Sequence, residues 1–417
     1  MRTRFPRTVW LLGWASFFTD LASEAIYPLL PMFLSVVLGA GALALGLIEG
    51  VAEGANSLLK ILSGHFSDRW RVRKPIVLGG YTLSSLVRPL MALVTAWPQV
   101  LALRFVDRLG KGIRVAPRDA MLADLAPPGM RGRVFGMNRA MDHAGAVAGP
   151  LIASLFLWFY PGELRTLFAL TLIPGVLVVA ILILVPEVKA AGAGRGDPGG
   201  RDSGGTGRDP ESGGIGRDPE SGGTGLQPCD ALPADFYRLL AIILLFTLGN
   251  STDAFLLLRL SELGVPPAGI PLVWAVLHVI KSAGSAVGGT LSDRVGRRAM
   301  IASGWLLYAG VYAGFAVVQS LPALIAIFLV YGLYYGLSES PEKALIADLV
   351  PAERRGMAFG LYNAALGFGS LLASVVFGLV WTEAGASVAF LLGAALALAA
   401  AATLALLGAP RSRDILS

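Results

Sequence analysis

The sequence predicts an all-α polytopic membrane protein: about twelve transmembrane helices in two parallel six-helix repeats, with both termini cytoplasmic. Three observations carry this. Of 417 residues, 55% are hydrophobic and only 15% charged, where soluble domains carry roughly 25% charge. Apolar runs of the ~20 residues needed to cross a bilayer recur from end to end. The chain also repeats itself. The stretch RFVDRLGKGIRVAPRDAMLADLAPPGMRGRVFG at 104–136 returns, altered, as LSESPEKALIADLVPAERRGMAFG at 337–360. Pro117, Ala120, Asp124, Arg131 and Gly136 fall on Pro341, Ala344, Asp348, Arg355 and Gly360, at a constant offset of 224 (341 − 117 = 360 − 136). Upstream, Gly64, Ser67, Asp68 and Arg69 are echoed by Gly289, Ser292, Asp293 and Arg294 at an offset of 225. Two echoes at nearly one offset identify a duplication whose halves run in the same direction.

Taken in order, the start Met1-Arg-Thr-Arg-Phe-Pro-Arg before an apolar run has the outline of a signal peptide. The run continues to about Val37, lacks a small-residue cleavage site and contains Asp20 and Glu24, so a retained first helix is expected. Grouping apolar runs between Gly, Pro and charge clusters gives spans at 8–37, 42–66, 74–95, 98–125, 130–159 and 163–185. The second half gives 236–262, 268–293, 299–319, 322–349, 355–383 and 386–408. Arg2, Arg4 and Arg7 precede the first span; Arg69, Arg71, Arg73 and Lys74 follow the second; Arg131 and Arg133 follow the fourth. Arg294, Arg297 and Arg298 follow the eighth, Arg354 and Arg355 the tenth, and Arg411 and Arg413 the last. The alternate loops hold no Lys or Arg, and the positive-inside rule then places both termini in the cytoplasm.

The expected organisation is a six-helix bundle at 1–188, a linker at 189–233 and a second bundle at 234–417. The linker is a different material. Arg208-Asp-Pro-Glu-Ser-Gly-Gly recurs nine residues on from Arg217, and Gly-, Asp-, Pro- and Ser-rich sequence buries too little apolar area to repay ordering. Its Gly-x-Gly triplets sit in no strand–turn–helix context, so they form no nucleotide site.

Composition excludes several function classes. The single cysteine, Cys229, has no partner for a disulfide or a metal site. The net charge of +6 lies in short loops between apolar runs, where it reads as topology and not as a nucleic-acid patch. No P-loop, nucleophile elbow, HExxH or paired-Cys motif occurs, so neither an enzyme nor an ATP-driven pump is expected, and no cofactor or metal. No obligate protein partner is evident.

The fourth span carries the sharpest anomaly. At 100° per residue, Arg104, Asp107, Arg108, Lys111, Arg114 and Arg118 share an arc of roughly 120°. Five cations on one membrane face are too costly to point at lipid, roughly 2.5–3.5 kcal/mol each on the insertion scale. They must face a wet cavity or carboxylates, although Arg114 and Arg118 lie near enough the surface to snorkel. Candidate partners are Asp20 and Glu24 on the first span and Glu49 and Glu53 on the second, each pair i, i+4. Counting rise from the span ends puts Asp20, Glu53 and Arg108 at about the same depth of 15–18 Å, with Glu49 and Arg104 together nearer the outside. This predicts an Asp20–Glu53–Arg108 cluster. In the second half Asp253, His278 and Lys281 are the notable polar groups, with Asp142 and His143 on the fifth span.

The loop and helix motifs resemble those of the major facilitator superfamily, over both membrane halves and excluding the linker. Gly64-x-x-x-Asp68-Arg69 followed by Arg73-Lys74 is similar to that family's loop between helices two and three. Gly289-x-x-x-Asp293-Arg294-Val-Gly296-Arg297-Arg298 is the second and fuller copy, the first having one inserted residue and no Gly in its turn. The resemblance implies a conformational latch at these loops. Arg104-Phe-Val-Asp107-Arg108-Leu-Gly110 resembles the fourth-helix motif, which the family links to proton traffic, with Arg108 standing where Gly is usual. Gly145-Ala-Val-Ala-Gly149-Pro150 resembles the fifth-helix motif of antiporters; close helix packing by small residues accounts for the same glycines.

The expected function is secondary active transport of a small solute across a bacterial-type inner (cytoplasmic) membrane. Alternating access would be coupled to protons, with antiport and hence export favoured. The proton and substrate cavity is expected among Asp20, Glu24, Glu49, Glu53, Arg104, Asp107, Arg108, Lys111 and Asp253. The alternatives are a proton symporter importing an organic anion and, from another class, a transporter-like sensor or scaffold without flux.

Overall fold

The computed structural model describes residues 6–70, 73–125, 131–186, 232–351 and 354–406, and within them not the side chains of 60–70, 123, 131–133, 285–290, 292–294, 340, 355 and 356. Among the described residues twelve long helical segments follow one another: α1 (Arg7–Val37), α2 (Ala42–Trp70), α3 (Lys74–Leu93), α4 (Trp97–Leu125), α5 (Arg131–Phe159) and α6 (Leu164–Ile183) in the first half. The second half comprises α7 (Ala234–Glu262), α8 (Gly269–Val295), α9 (Arg297–Val317), α10 (Leu321–Leu349), α11 (Arg355–Ala384) and α12 (Ala386–Leu406). No end departs by more than four residues from the expected spans. Among the described residues ten helices are long and apolar enough to cross a membrane. The two not among them are α4, which is loaded with charge, and α8, whose side chains are described without a break only as far as Gly284. Most of the expected linker and the C-terminal tail lie outside the described residues.

The halves repeat one packing scheme. In the first, α1 packs on α5 and α6, and α4 on α2 and α3; in the second, α7 packs on α11 and α12, and α10 on α8 and α9. The duplication survives as a matched pair of ion pairs, Arg73–Asp124 and Arg297–Asp348. Both members are separated by 224 (297 − 73 = 348 − 124). Each joins the start of the third helix of its half to the end of the fourth, on the side where the linker attaches.

The halves meet toward the opposite, far side. There α2 lies against α11 so closely that a Cβ at Gly46 would stand 2.3 Å from the Ser374 carbonyl oxygen, and one at Gly378 2.7 Å from that of Ala42. Any larger side chain would part the helices. The seam runs from Ala42 to the contact of Ser57 with Gly367; beside that end, Leu58 and Asn363 are exposed. A second contact joins Ser154 of α5 to the Ala268 carbonyl at 2.7 Å, just before α8.

Two helices are interrupted. In α1, Pro28 and Pro31 remove backbone donors, and the chain tightens into a 3₁₀ turn at Tyr27–Leu29 and widens at Phe33–Val37. In α7 the helix stops at Gly249 and resumes at Ala254. The intervening Asn-Ser-Thr-Asp favours side-chain-to-backbone bonding over the helical ladder. Such irregular backbone is tolerated at membrane depth only where it is buried in protein or lines a cavity.

Candidate functional site: a cavity shared by the two halves

A cavity of about 530 Å³ lies between the halves, reaching from Tyr27 and the α7 break to Lys343 and Asn363 nearer the linker side. The first half contributes Glu24, Glu49, Glu53, Arg108 and Lys111; the second contributes Asp253, His278, Lys281, Glu339 and Glu342.

The α7 break is held open by side chains. Tyr308 donates to the freed Gly249 carbonyl at 3.1 Å, and Ser251 shares a hydrogen bond with Tyr312 at 3.0 Å. Asp253 accepts from Tyr331 at 2.7 Å and Tyr335 at 2.6 Å, one hydroxyl to each carboxylate oxygen. The ammonium of Lys281 sits 3.4 Å from the centroid of the Tyr335 ring, a cation–π contact that places a positive charge beside the Asp253 cluster. Tyr331, Tyr334 and Tyr335 recur at i, i+3 and i+4 on α10, and Tyr308 and Tyr312 at i, i+4 on α9, so each helix turns a tyrosine stripe inward.

Glu24 of α1 links the halves by accepting from Trp274 Nε1 of α8 at 2.9 Å, and it lies 3.7 Å from His278 Nε2. One turn on, Tyr27 and Thr252 share a hydrogen bond of 3.1 Å, and Tyr27 packs on Trp274 with ring centroids 5.2 Å apart.

The basic stripe of α4 resolves into separate roles. Arg104 donates to Glu49 through Nη2 at 2.6 Å and Nε at 3.1 Å, and Asp107 accepts from Arg88 at 3.0 Å. Arg104 and Asp107 therefore stand behind the wall and not on it: both line a small crevice with Arg88, outside the main cavity. Arg114 donates to Ser84 at 2.8 Å over the Tyr81 ring, and Arg118 to Ser16 at 2.9 Å and Asp119 at 2.9 Å. Both are buried in hydrogen bonds, where snorkelling was an open alternative. Arg108 is left facing the cavity; among the described residues it forms no ion pair, and its buried Nε has no hydrogen-bond partner.

The expected Asp20–Glu53–Arg108 cluster divides. Glu53 and Arg108 line the cavity and interact electrostatically, whereas Asp20 is absent from its wall. The cations acting on Asp20 are Lys111, Arg114 and Arg118. The depth count gave each residue's level but not which side chains of α4 it would meet.

Gly145 and Gly149 are packing positions in this arrangement: their Cβ atoms would stand 2.3 Å from the carbonyl oxygens of Phe17 and Leu21 on α1. The helix α5 continues through Pro150 to Phe159. The side chains of Gly64, Asp68 and Arg69, and of Gly289, Asp293 and Arg294, lie outside the described ones. Gly296 takes φ 97°, a left-handed turn that only glycine adopts freely, and this sets Arg297 against the Ala344 carbonyl at 2.6 Å and against Asp348. Tyr27, Trp274, the tyrosines of α9 and α10, Glu339 and Glu342 were not among the expected cavity residues. The helical spacing of the tyrosines was the available signal.

Two helical bundles, repeated in one direction and enclosing a charged cavity between them, are the architecture of a solute transporter. Residues 12–248 and 238–415 match the model of the Major Facilitator Superfamily, and the chain belongs to that family. It is 31% identical over 398 residues to an MFS-type transporter of Methanocaldococcus jannaschii, covering 94% of this chain and 92% of the relative. It is also 33% identical over 135 residues to the multidrug resistance protein MdtH of Photorhabdus laumondii, a match spanning only 32% of this chain and 33% of that protein. Among solved structures, the nucleoside transporter NupG (D323A mutant) superposes with a TM-score of 0.76 at 13% identity, covering 97% of this chain and 100% of that one. A D-xylose–proton symporter superposes with a TM-score of 0.69 at 15% identity, covering 95% and 96%. At these identities the structural likeness concerns the fold.

Proposed function

We propose that this transporter is a proton-coupled antiporter that exports a small solute across the cytoplasmic membrane by rocking of its halves about the shared cavity. The observation that carries the reading is the wall of that cavity. Both halves supply acids and bases to it, so relative movement of the halves changes the surroundings of every titratable group at once. With the linker side cytoplasmic, as the loop charges indicate, the α2–α11 seam closes the outer side and the cavity is inward-facing. The partial match to MdtH and the likeness of Gly145–Pro150 to the antiporter motif favour export over import.

A second reading, proton-driven import of an organic anion, is favoured by Arg108, whose guanidinium faces the cavity without an ion-pair partner among the described residues. Proteoliposomes loaded with a pH-sensitive dye separate the two. Candidate solutes are added one at a time, ethidium as an aromatic cation and benzoate as an aromatic anion among them. Proton movement opposite to the solute supports antiport, co-movement supports symport, and no solute-evoked proton movement across the panel contradicts both.

A further inference from the structure

Outside the groups treated so far, one carboxyl in the cavity wall stands apart. Glu342 on α10 is 6% exposed, and its oxygens accept from two neutral donors, Trp305 Nε1 of α9 at 3.2 Å and the Tyr362 hydroxyl of α11 at 3.0 Å. Among the described residues it has no ion pair. The charged groups of its own half that line the cavity are committed elsewhere. Glu339 and Lys343, on its own helix, pair with each other at 2.8 Å; Asp253 of α7 is held by two tyrosines; Lys281 of α8 lies on the Tyr335 ring. Tyr334 of α10 lies beside Glu342, and the first half shares the cavity with it through Glu53 of α2 and Arg108 and Lys111 of α4.

The internal repeat shows what this position is. Subtracting 224 takes Glu342 to Arg118, Trp305 to Tyr81 and Tyr362 to Asn138. In the first half these three converge on Ser16: Arg118 donates to its hydroxyl at 2.9 Å, the hydroxyl donates to Asn138 at 3.4 Å, and Tyr81 lies at 3.4 Å. Both halves thus build a polar node from helices three, four and five. In the first half the position equivalent to Glu342 carries the Arg118 guanidinium, which keeps its charge at any physiological pH. In the second half the same place holds a carboxyl, whose charge one proton removes.

We propose that Glu342 is the residue that takes up the coupled proton. One proton enters from water on one side, resides on a Glu342 carboxylate oxygen, and leaves to water on the other side after the halves have rocked; the solute moves in the opposite step. An ionised carboxylate taken out of water without a cation is costly, and a neutral one far less so. Protonation therefore changes how firmly Glu342 accepts from Tyr362. Tyr362 sits on α11 five residues before Gly367, where the seam to α2 begins, so the gating helix feels the proton directly.

This inference rests on the proton-coupled reading, and its test separates the two. Infrared difference spectra of the reconstituted full chain are recorded across a pH titration. The wild type should show a titrating carboxyl band that is lost in Glu342→Gln and retained in Glu342→Asp, in Asp20→Asn and in Glu339→Gln. In the dye-loaded vesicles, solute-evoked proton movement should fall at least tenfold in Glu342→Gln and return substantially in Glu342→Asp. A band unchanged in Glu342→Gln, or undiminished proton movement by that variant, overturns the assignment. A purely structural Glu342 predicts lower thermal stability with band and coupling intact, which counts against it equally. A wild type that moves no protons with any solute instead sinks the proton-coupled reading itself.

Discussion

The ion pair between Glu49 and Arg104 sets what the first half can tolerate. Its side chains are 7% and 6% exposed, two nitrogens of Arg104 donate to one carboxylate oxygen, and the guanidinium lies 5.5 Å from the Tyr27 ring centroid. Replacing Arg104 by Met leaves the Glu49 carboxylate buried without its cation, and replacing Glu49 by Leu strands the guanidinium. Breaking a buried pair from one side costs about 3–5 kcal/mol, whereas replacing both partners by apolar groups of similar volume is often nearly neutral. At 1.4 kcal/mol per decade, each single change should lower the folding equilibrium constant by roughly two to three and a half powers of ten. The double variant should be no worse than the milder single one, giving a coupling above about 2 kcal/mol in the double-mutant cycle. Reversible unfolding in mixed micelles, with wild type and all three variants side by side, measures it. Additive losses would show that the two side chains act independently and that the buried-pair account of the α2–α4 contact is mistaken.

Other perturbations follow from single contacts. Asp348→Ala should cost at most about 1 kcal/mol by the same unfolding assay, because its pair with Arg297 is 55% and 27% exposed and exposed pairs contribute little. Gly149→Leu should sharply reduce the yield of folded protein, since even a Cβ there would lie 2.3 Å from the Leu21 carbonyl oxygen; wild-type yield and melting would refute the tight α1–α5 packing. Trp274→Phe removes the 2.9 Å donor to Glu24 across the halves. A hydrogen bond to a charged group is worth about 1.5–3 kcal/mol, so cysteine-accessibility labelling near the seam should rise by roughly ten- to a hundredfold, and unchanged labelling would mean that the bond does not hold the halves.

How much of this was legible beforehand varies by physical origin. The helices were readable because lipid demands long apolar runs, and the duplication because Pro117 to Gly136 returns as Pro341 to Gly360 at one offset. The stripe on α4 was readable as a cost, since cations in a membrane need partners. Which partner each found was readable only in part, for Glu49 and Arg104. Helical phase fixes the face of one helix, while pairing depends on the rotation of its neighbours: Glu49 met Arg104, but Asp20 came to lie with Lys111 and Arg118. The α7 break was hidden for another reason. Asn250-Ser-Thr-Asp253 carries a single charge inside an apolar run, so hydropathy passes over it. Only the tyrosines that replace the lost backbone partners show why the chain can unwind there.

If the halves rock about the shared cavity, one side opens as the other closes. Spin labels on two cysteine pairs in a Cys229→Ser background test it directly. The far-side pair is Gly41→Cys with Thr382→Cys, where an added Cβ at Gly41 meets nothing within 4 Å and Thr382 is exposed. The linker-side pair is Leu58→Cys with Asn363→Cys, both exposed beside the end of the seam. Pulsed electron–electron distances for the two pairs are recorded in nanodiscs at acid and alkaline pH. The account predicts opposed changes, the far-side distance lengthening in whatever condition shortens the linker-side one. Two distances that rise and fall together, or that stay fixed while solute-evoked proton movement proceeds, would contradict it.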